Sequence, residues 1–273
     1  MDKKLIVAPS PHVHGPESTQ RIMRDVLIAL APALVVSVIV YGWTTLLVTA
    51  VSVLSCVLFE YLIQKYLIKG PSTIGNLSAV VTGVLLAFNL PASIPVWIVV
   101  IGALVAIGIG KMTFGGIGKN PFNPALVGRV FLLIAYPVQM TSFPQPVMNG
   151  YVDALSGATP LAAVKAASAG GDITLANIDL LNMFSGAIPG SMGEIAALAL
   201  LVGGAWLVYR RVITLRIPVC FIGTVAVLTL IFPKAGSGFE WMAYQLLSGG
   251  LMLGAIFMAT DYATSPVTPK GQI

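Results

Sequence analysis

The chain has 273 residues, 57% of them hydrophobic and 9% charged, with a net charge of +5 and two cysteines. A soluble domain carries about a quarter charged residues, so this composition excludes a water-soluble globular protein and describes a polytopic membrane protein in the lipid bilayer. The basic residues are spread over short loops rather than gathered on one face, which excludes nucleic acid as a partner. Cys56 and Cys220 each stand alone in an apolar run, so they provide neither a disulfide framework nor a metal site.

The first two dozen residues are polar, which is not the layout of a cleaved signal peptide. His12 and His14 lie in this arm without a third metal ligand, and a surface role suits them best. Runs able to cross roughly 30 Å of hydrocarbon are expected at Val26–Trp43, Thr45–Ile63, Ser78–Leu90, Ile94–Ile109, Ala125–Val138, Ile195–Tyr209, Ile217–Phe232 and Tyr244–Tyr262, which gives eight. The third, fourth and fifth are short or glycine-interrupted, the mark of broken helices whose freed backbone groups face protein or a cavity. Pro32 is expected to bend the first span, and Glu60 at the end of the second either pairs with Lys65 or serves function.

Between the fourth and fifth spans lies Gly115-Gly116-Ile117-Gly118-Lys119-Asn120-Pro121-Phe122-Asn123-Pro124. Its glycines let backbone N–H groups converge, and Asn120 and Asn123 offer donors and acceptors. The segment is neither a P-loop nor a dinucleotide fingerprint. It reads as a re-entrant turn lining a polar cavity, or as a tight loop. Arg129, one turn into the next span, is expected to face the protein interior or a bound anion.

The longest polar segment carries Asp153-Ala154-Leu155-Ser156-Gly157-Ala158-Thr159-Pro160, in which Thr159 before Pro160 reads as an N-cap followed by proline at the first helical position. Farther on, Glu194 follows a glycine-rich turn and suits a helix N-terminus. Gly250 and Gly254 stand at the spacing of close helix packing, and Asp261 ends the last span. The segment from Gly83 to Pro91 is echoed from Gly250 to Asp261, with glycine, long aliphatics, an aromatic and a polar end. By span count the two run in opposite directions, as in an inverted-topology repeat. The expected layout is one membrane domain: residues 1–142 a first repeat, 143–193 an extracytoplasmic loop, and 194–273 a partial second repeat.

Loop charges set the orientation. Lys3, Lys4, Arg21, Arg24, Lys65, Lys69, Lys111, Lys119, Arg210, Arg211, Arg216 and Lys270 fall on the side of the N-terminus, and only Lys165 and Lys234 fall opposite. Both ends are therefore expected in the cytoplasm and the Thr159 loop outside.

Four elements in order carry a family resemblance: Gly115 to Ala125; Ser156-Gly157-Ala158-Thr159; Gly190-Ser191-Met192-Gly193-Glu194; and Phe257-Met258-Ala259-Thr260-Asp261-Tyr262 with Thr264-Ser265-Pro266. Together they resemble the membrane subunits that carry covalent flavin in the Rnf and sodium-pumping NADH:quinone (Nqr) redox complexes, the NqrB/RnfD family. The short N-terminal arm is closer to the Rnf branch. The resemblance implies FMN esterified through its phosphate to Thr159 by a flavin transferase that recognises Asp153, Ser156, Gly157 and Ala158. Some members of the family that the chain resembles also hold a non-covalent riboflavin among the helices, and Asn120, Asn123, Arg129 and Asp261 are the candidates for its surroundings or for those of an ion path. The implied fold is an all-α inverted-repeat bundle with broken helices, similar to urea channels, with ten helices in full; two are expected to be missing here.

The implied function is that of a subunit of an ion-translocating oxidoreductase in a bacterial or archaeal cytoplasmic (inner) membrane. It would work beside other subunits, pass electrons through its flavin and drive sodium ions or protons; no residue of this chain is expected to catalyse the overall reaction. The alternative reading is a solute channel of the same fold, with Thr159 a plain helix cap.

Overall fold

The computed structural model describes residues 18–70, 72–146, 159, 162, 183–184, 188–195, 197–234 and 237–273. His12, His14, Asp153, Ser156, Gly157 and Ala158 lie outside them. Among the described residues the regular structure is helical, and every expected apolar run contains a helix.

Helix α1 (Thr19–Tyr41) starts at Ser18, whose Oγ accepts the Arg21 amide at 3.2 Å, and runs on through Pro32. Helix α2 (Thr44–Leu62) continues as a π-helical segment, Ile63–Ile68. Helix α3 (Ser78–Phe88) is a short, almost wholly buried core helix. Helix α4 (Val96–Leu104) passes into a π segment, Val105–Ile109, and a 3-10 turn, Met112–Phe114. The expected fifth span is divided at Tyr136-Pro137 into α5 (Pro124–Ala135) and α6 (Pro137–Thr141). Proline biases the residue before it away from the helical region, and Tyr136 takes φ −133°.

Helices α7 (Ala197–Tyr209) and α8 (Arg216–Ile231) follow. The expected last span is two helices, α9 (Gly238–Leu247) and α10 (Leu251–Met258), bent by 66°. Gly249 sits in the bend at φ +68°, a conformation that costs glycine little.

The eight expected runs are thus all helical, but length separates them. Three helices, Thr19–Tyr41, Thr44–Ile68 and Val96–Phe114, are long and apolar enough to cross a membrane, and the bent pair makes a fourth if taken as one span. Ser78–Phe88, Pro124–Ala135, Ala197–Tyr209 and Arg216–Ile231 are shorter than a straight crossing of ~30 Å requires. The protein is a multi-pass membrane protein whose interior is built from broken elements.

Glycine sets the closest approaches. A Cβ on Gly203 of α7 would lie 2.0 Å from the Ala29 carbonyl oxygen of α1, and one on Gly83 of α3 would lie 2.7 Å from Val53 Cα of α2. These two contacts bind α7 to α1 and α3 to α2 with backbones nearly touching, as is common where small residues face each other in membranes. Gly254, by contrast, has open space at its Cβ position, so the expected close packing at Gly254 is not made. Its partner in the motif, Gly250, faces the Arg129 guanidinium instead.

Candidate functional site

Three polar places stand out against the apolar interior. The first is a cavity of about 120 Å³ between α1, α3, α7 and the ends of α4 and α10. Its polar wall brings together Ser78, Lys111, Asn120, Asn123, Thr260 and Asp261, and its apolar wall includes Val81, Leu85 and Phe257. The turn expected to line a polar cavity does so. Asn123 caps α5, its Oδ1 accepting the Ala125 amide at 3.0 Å, while Asn120 Nδ2 donates to the Phe122 carbonyl at 2.9 Å. The two asparagines are buried because the turn folds back under α3 rather than into solvent.

Asp261 lies just beyond the end of α10. Burial raises its carboxyl above the ordinary value of 3.8, opposed by the Ala263 amide and by the side chains of Asn120 and Thr264. The hydrogen bond between Asn120 and Asp261 ties the turn before α5 to the chain leaving α10. The bundle thereby places a half-buried carboxyl group beside the Asn120 side chain.

At the rim of this cavity lies a buried ion pair. Glu60 is fully buried and bonds Lys111 Nζ through Oε2 at 2.5 Å, not Lys65. The reason is the helix face: Glu60 points inward from α2, whereas exposed Lys65 reaches the Tyr61 hydroxyl at 3.0 Å and lies over the Tyr61 and Tyr66 rings. Lys111 also donates to Ser78 Oγ at 2.7 Å, and Thr73 Oγ1 donates to Glu60 Oε1 at 2.8 Å. Gln64 completes the group: its Oε1 accepts the Thr73 amide at 2.9 Å, and its Nε2 donates to Thr73 Oγ1. Both charges are therefore paired and hydrogen-bonded, which burial demands. Lys111 looks like an orientation charge in the sequence; only its place after the π segment of α4 carries it inside.

The second place is where three chain breaks meet. Arg129 on α5 donates through Nη1 to Asn89 Oδ1 at 2.6 Å, just past the end of α3, and its Nη2 lies 3.5 Å from Glu194 Oε1. Arg129 thus faces the interior, as its position in an apolar helix requires. It sits apart from the cavity-lining Asn120, Asn123 and Asp261. Glu194 Oε2 accepts the Ser191 amide at 3.2 Å, so this carboxylate serves the turn that precedes α7 as well as the arginine.

That turn is clamped from two sides. The Met192 and Gly193 amides donate to the Leu90 and Phe88 carbonyls at 3.2 and 2.8 Å, and Ser37 Oγ donates to the Met192 carbonyl at 2.5 Å. Tyr41 Oη takes the Gly190 amide at 2.8 Å. The echoing segments touch here too, with Asn89 Nδ2 3.9 Å from Met258 Sδ.

The third place is Thr159. Its Oγ1 accepts the backbone N–H of Ala162 at 3.2 Å, the bond expected of an N-cap. No group of three or more His, Cys, Asp or Glu placed to hold a metal ion occurs among the described residues.

The profile of the NQR2, RnfD, RnfE family matches residues 6–273. The chain is 47% identical over 272 residues to a subunit of a Na(+)-translocating ferredoxin:NAD(+) oxidoreductase complex from Acetobacterium woodii, covering 98% of this chain and 80% of that protein. It is 40% identical over 275 residues to the corresponding subunit of a proton-translocating ferredoxin:NAD(+) oxidoreductase complex from Clostridium ljungdahlii, covering 98% and 81%. It is also 38% identical over 287 residues to that of an ion-translocating oxidoreductase complex from Halorhodospira halophila, covering 96% and 80%. With its four sequence elements spread along the whole match, the chain belongs to the NQR2, RnfD, RnfE family.

Proposed function

We propose that this chain is the flavin-carrying membrane subunit of an ion-translocating ferredoxin:NAD oxidoreductase, with FMN joined through its phosphate to Thr159 Oγ1. The observation that carries the reading is the capping bond at Thr159. The helix start expected after Thr159 would place a phosphate near amides without intrahelical partners, where N–H groups and the helix dipole favour an anion. The residues therefore fit a phosphoester. A separate flavin transferase makes the bond, reading Asp153 and the Ser156-Gly157-Ala158 approach. The family membership and the named relatives support the assignment to a multi-subunit membrane complex.

The cavity, at about 120 Å³, is smaller than the roughly 300–1,000 Å³ of small-molecule pockets, so it would hold one part of a second, non-covalent riboflavin with the rest of the molecule outside it. Val81, Leu85 and Phe257 offer apolar walls for a flat ring, while Asn120, Asn123 and Asp261 offer hydrogen bonds at one edge. When bound, flavins accept and pass on electrons; the protein contributes position, donors and a group able to hold a proton. Asp261 is that group, and the Glu60–Lys111 pair fixes the polar rim. Arg129 lies away from this set and takes no part in it.

In this reading the membrane is the cytoplasmic one, both ends of the chain face the cytoplasm, and Thr159 lies outside. The touching Asn89 and Met258 support two inverted halves whose echoing segments meet centrally. Co-expression of the chain with an active flavin transferase should give a fluorescent band in a denaturing gel, absent in Thr159→Ala. A dark wild-type band under the same conditions refutes the flavin assignment.

A further inference from the structure

A second cavity, of about 310 Å³, opens where the π-helical segment after α2 ends, and is lined by Tyr61, Gln64, Lys65, Lys69, Gly70 and Ser72. Lys69, at φ +53°, takes the left-handed conformation that stops the helix. Gln64 then pins the returning chain by accepting the Thr73 amide at 2.9 Å. Lys65 Nζ donates to the Tyr61 hydroxyl at 3.0 Å and lies 5.2 and 5.5 Å from the Tyr61 and Tyr66 ring centres. Among the described residues neither Lys65 nor Lys69 has a carboxylate within ion-pair distance; Glu60, the nearest acid in the sequence, is buried against Lys111.

The helix that leads to this cavity, Thr44–Ile68, is long and apolar enough to cross a membrane. Lys65, about 20 residues from the start of that crossing, stands where the hydrocarbon gives way to headgroups. Before it, Leu54, Leu58 and Tyr61 follow one another at helical spacing and are exposed, Leu54 by 69% and Leu58 by 53%. Leu54 to Lys65 spans about 16 Å at ~1.5 Å per residue, close to the depth of one leaflet of a ~30 Å core. This face therefore presents an apolar strip one leaflet long, then a tyrosine, then two cations around a cavity. The parts of a phospholipid stand in the same order: chain, glycerol, phosphate. The helix dipole alone would favour a lysine at this end, but it does not account for two lysines sharing one open cavity.

We propose that this face binds one anionic phospholipid, with its phosphodiester in the cavity between Lys65 and Lys69 and a chain lying along Leu58 and Leu54. Clustered basic side chains at a membrane surface attract anionic headgroups. Because Lys65 donates to the Tyr61 oxygen, the Tyr61 O–H is left to donate to a phosphate oxygen, and Ser72 brings a second hydroxyl. A zwitterionic lipid adds a cation that the two lysines repel, and a soluble phosphate lacks the chain that the strip would cover. The inference needs only a multi-pass membrane protein and stands apart from the flavin reading.

The test uses the protein purified with its associated subunits, in nanodiscs holding equal amounts of phosphatidylglycerol and phosphatidylcholine with matched chains. Photoreactive benzoylphenylalanine replaces Leu58, and after illumination the intact mass of the chain identifies the attached lipid. A basic residue near an anionic headgroup is worth about fivefold, so phosphatidylglycerol adducts should exceed phosphatidylcholine adducts by roughly that factor or more. Lys65→Gln combined with Lys69→Gln should bring the two adducts close to equality. Lys234→Gln, at an exposed position elsewhere, should leave the excess intact, and so should added glycerol phosphate.

Equal adducts in the wild type, or an excess that survives loss of both lysines, overturns the proposal. A crosslink to another polypeptide in place of lipid also overturns it, by making this face a subunit interface. So does disappearance of the excess on adding glycerol phosphate, which would make the cavity a site for soluble phosphate. If the Leu58 replacement fails to assemble, the same measurement with the photoreactive group at Leu54 decides.

Discussion

Two interior ion pairs of this protein differ in the one respect that matters for what each can do. Glu60 and Lys111 are buried, 2.5 Å apart, and supported by Ser78 and Thr73. Glu194 and Arg129 are 3.5 Å apart, with the cation partly exposed and bonded more closely to a neutral amide. The first pair is locked: removing either partner leaves an uncompensated charge with no route to water. The second is looser: its contact is long and its cation is partly exposed at the protein surface. A locked pair shapes a cavity; a loose pair costs less to break.

The sharpest way to break that comparison is Lys111→Met. Stranding buried Glu60 should destabilise the complex by on the order of 3–5 kcal/mol, read as a fall in its melting temperature. The double variant Glu60→Leu with Lys111→Met should recover most of the loss. A Lys111→Met protein as stable as the wild type would show that the pair is not locked.

Next in size is Gly203→Val. Its side chain has no room against the Ala29 carbonyl, so α1 and α7, which supply cavity walls, must part at a cost of about 1–3 kcal/mol. Non-covalent riboflavin should be lost, while the covalent flavin at Thr159 persists. Equal damage to both would mean that the two places are not separable.

Arg129→Gln should change thermal stability less than Lys111→Met, because a partly exposed pair is screened and contributes little.

The smallest effect concerns pH. The folded-state carboxyl of Asp261 titrates above its ordinary value of 3.8, so the folded protein binds more protons there than the unfolded chain does. The stabilising contribution is therefore present below that window and lost as pH rises through the raised value. Asp261→Asn should flatten this part of the melting-temperature profile. A wild-type profile rising with pH across that window would contradict the assignment.

Much of this was legible in the residues. Paired asparagines before prolines announced a turn that lines a cavity, and Arg129 in an apolar helix announced a partner inside. The echo of 83–91 in 250–261 marked two related segments, and Asn89 and Met258 from them do touch. What the sequence could not display were relations across the fold. Glu60 has Lys65 close in sequence but faces Lys111, because a helix face, not sequence distance, decides pairing. Ser191 reads as a turn residue until its hydroxyl is found buried and unbonded. Gly203 gives no sign in the sequence of which helix it touches, and Gly254 fits a packing motif whose second half has no neighbour. Span counting met a similar limit: apolar composition marks eight helical runs, and among the described residues three, or four with the bent pair, are long enough to cross.

The central claim, that Thr159 carries the flavin, is tested most directly by the intact mass of the chain purified after co-expression with its transferase, followed by fragmentation of the modified peptide. The account predicts one added flavin mononucleotide, less the water lost on forming the ester, located at Thr159. An unmodified mass beside a demonstrably active transferase, or the flavin found on another residue, would contradict it.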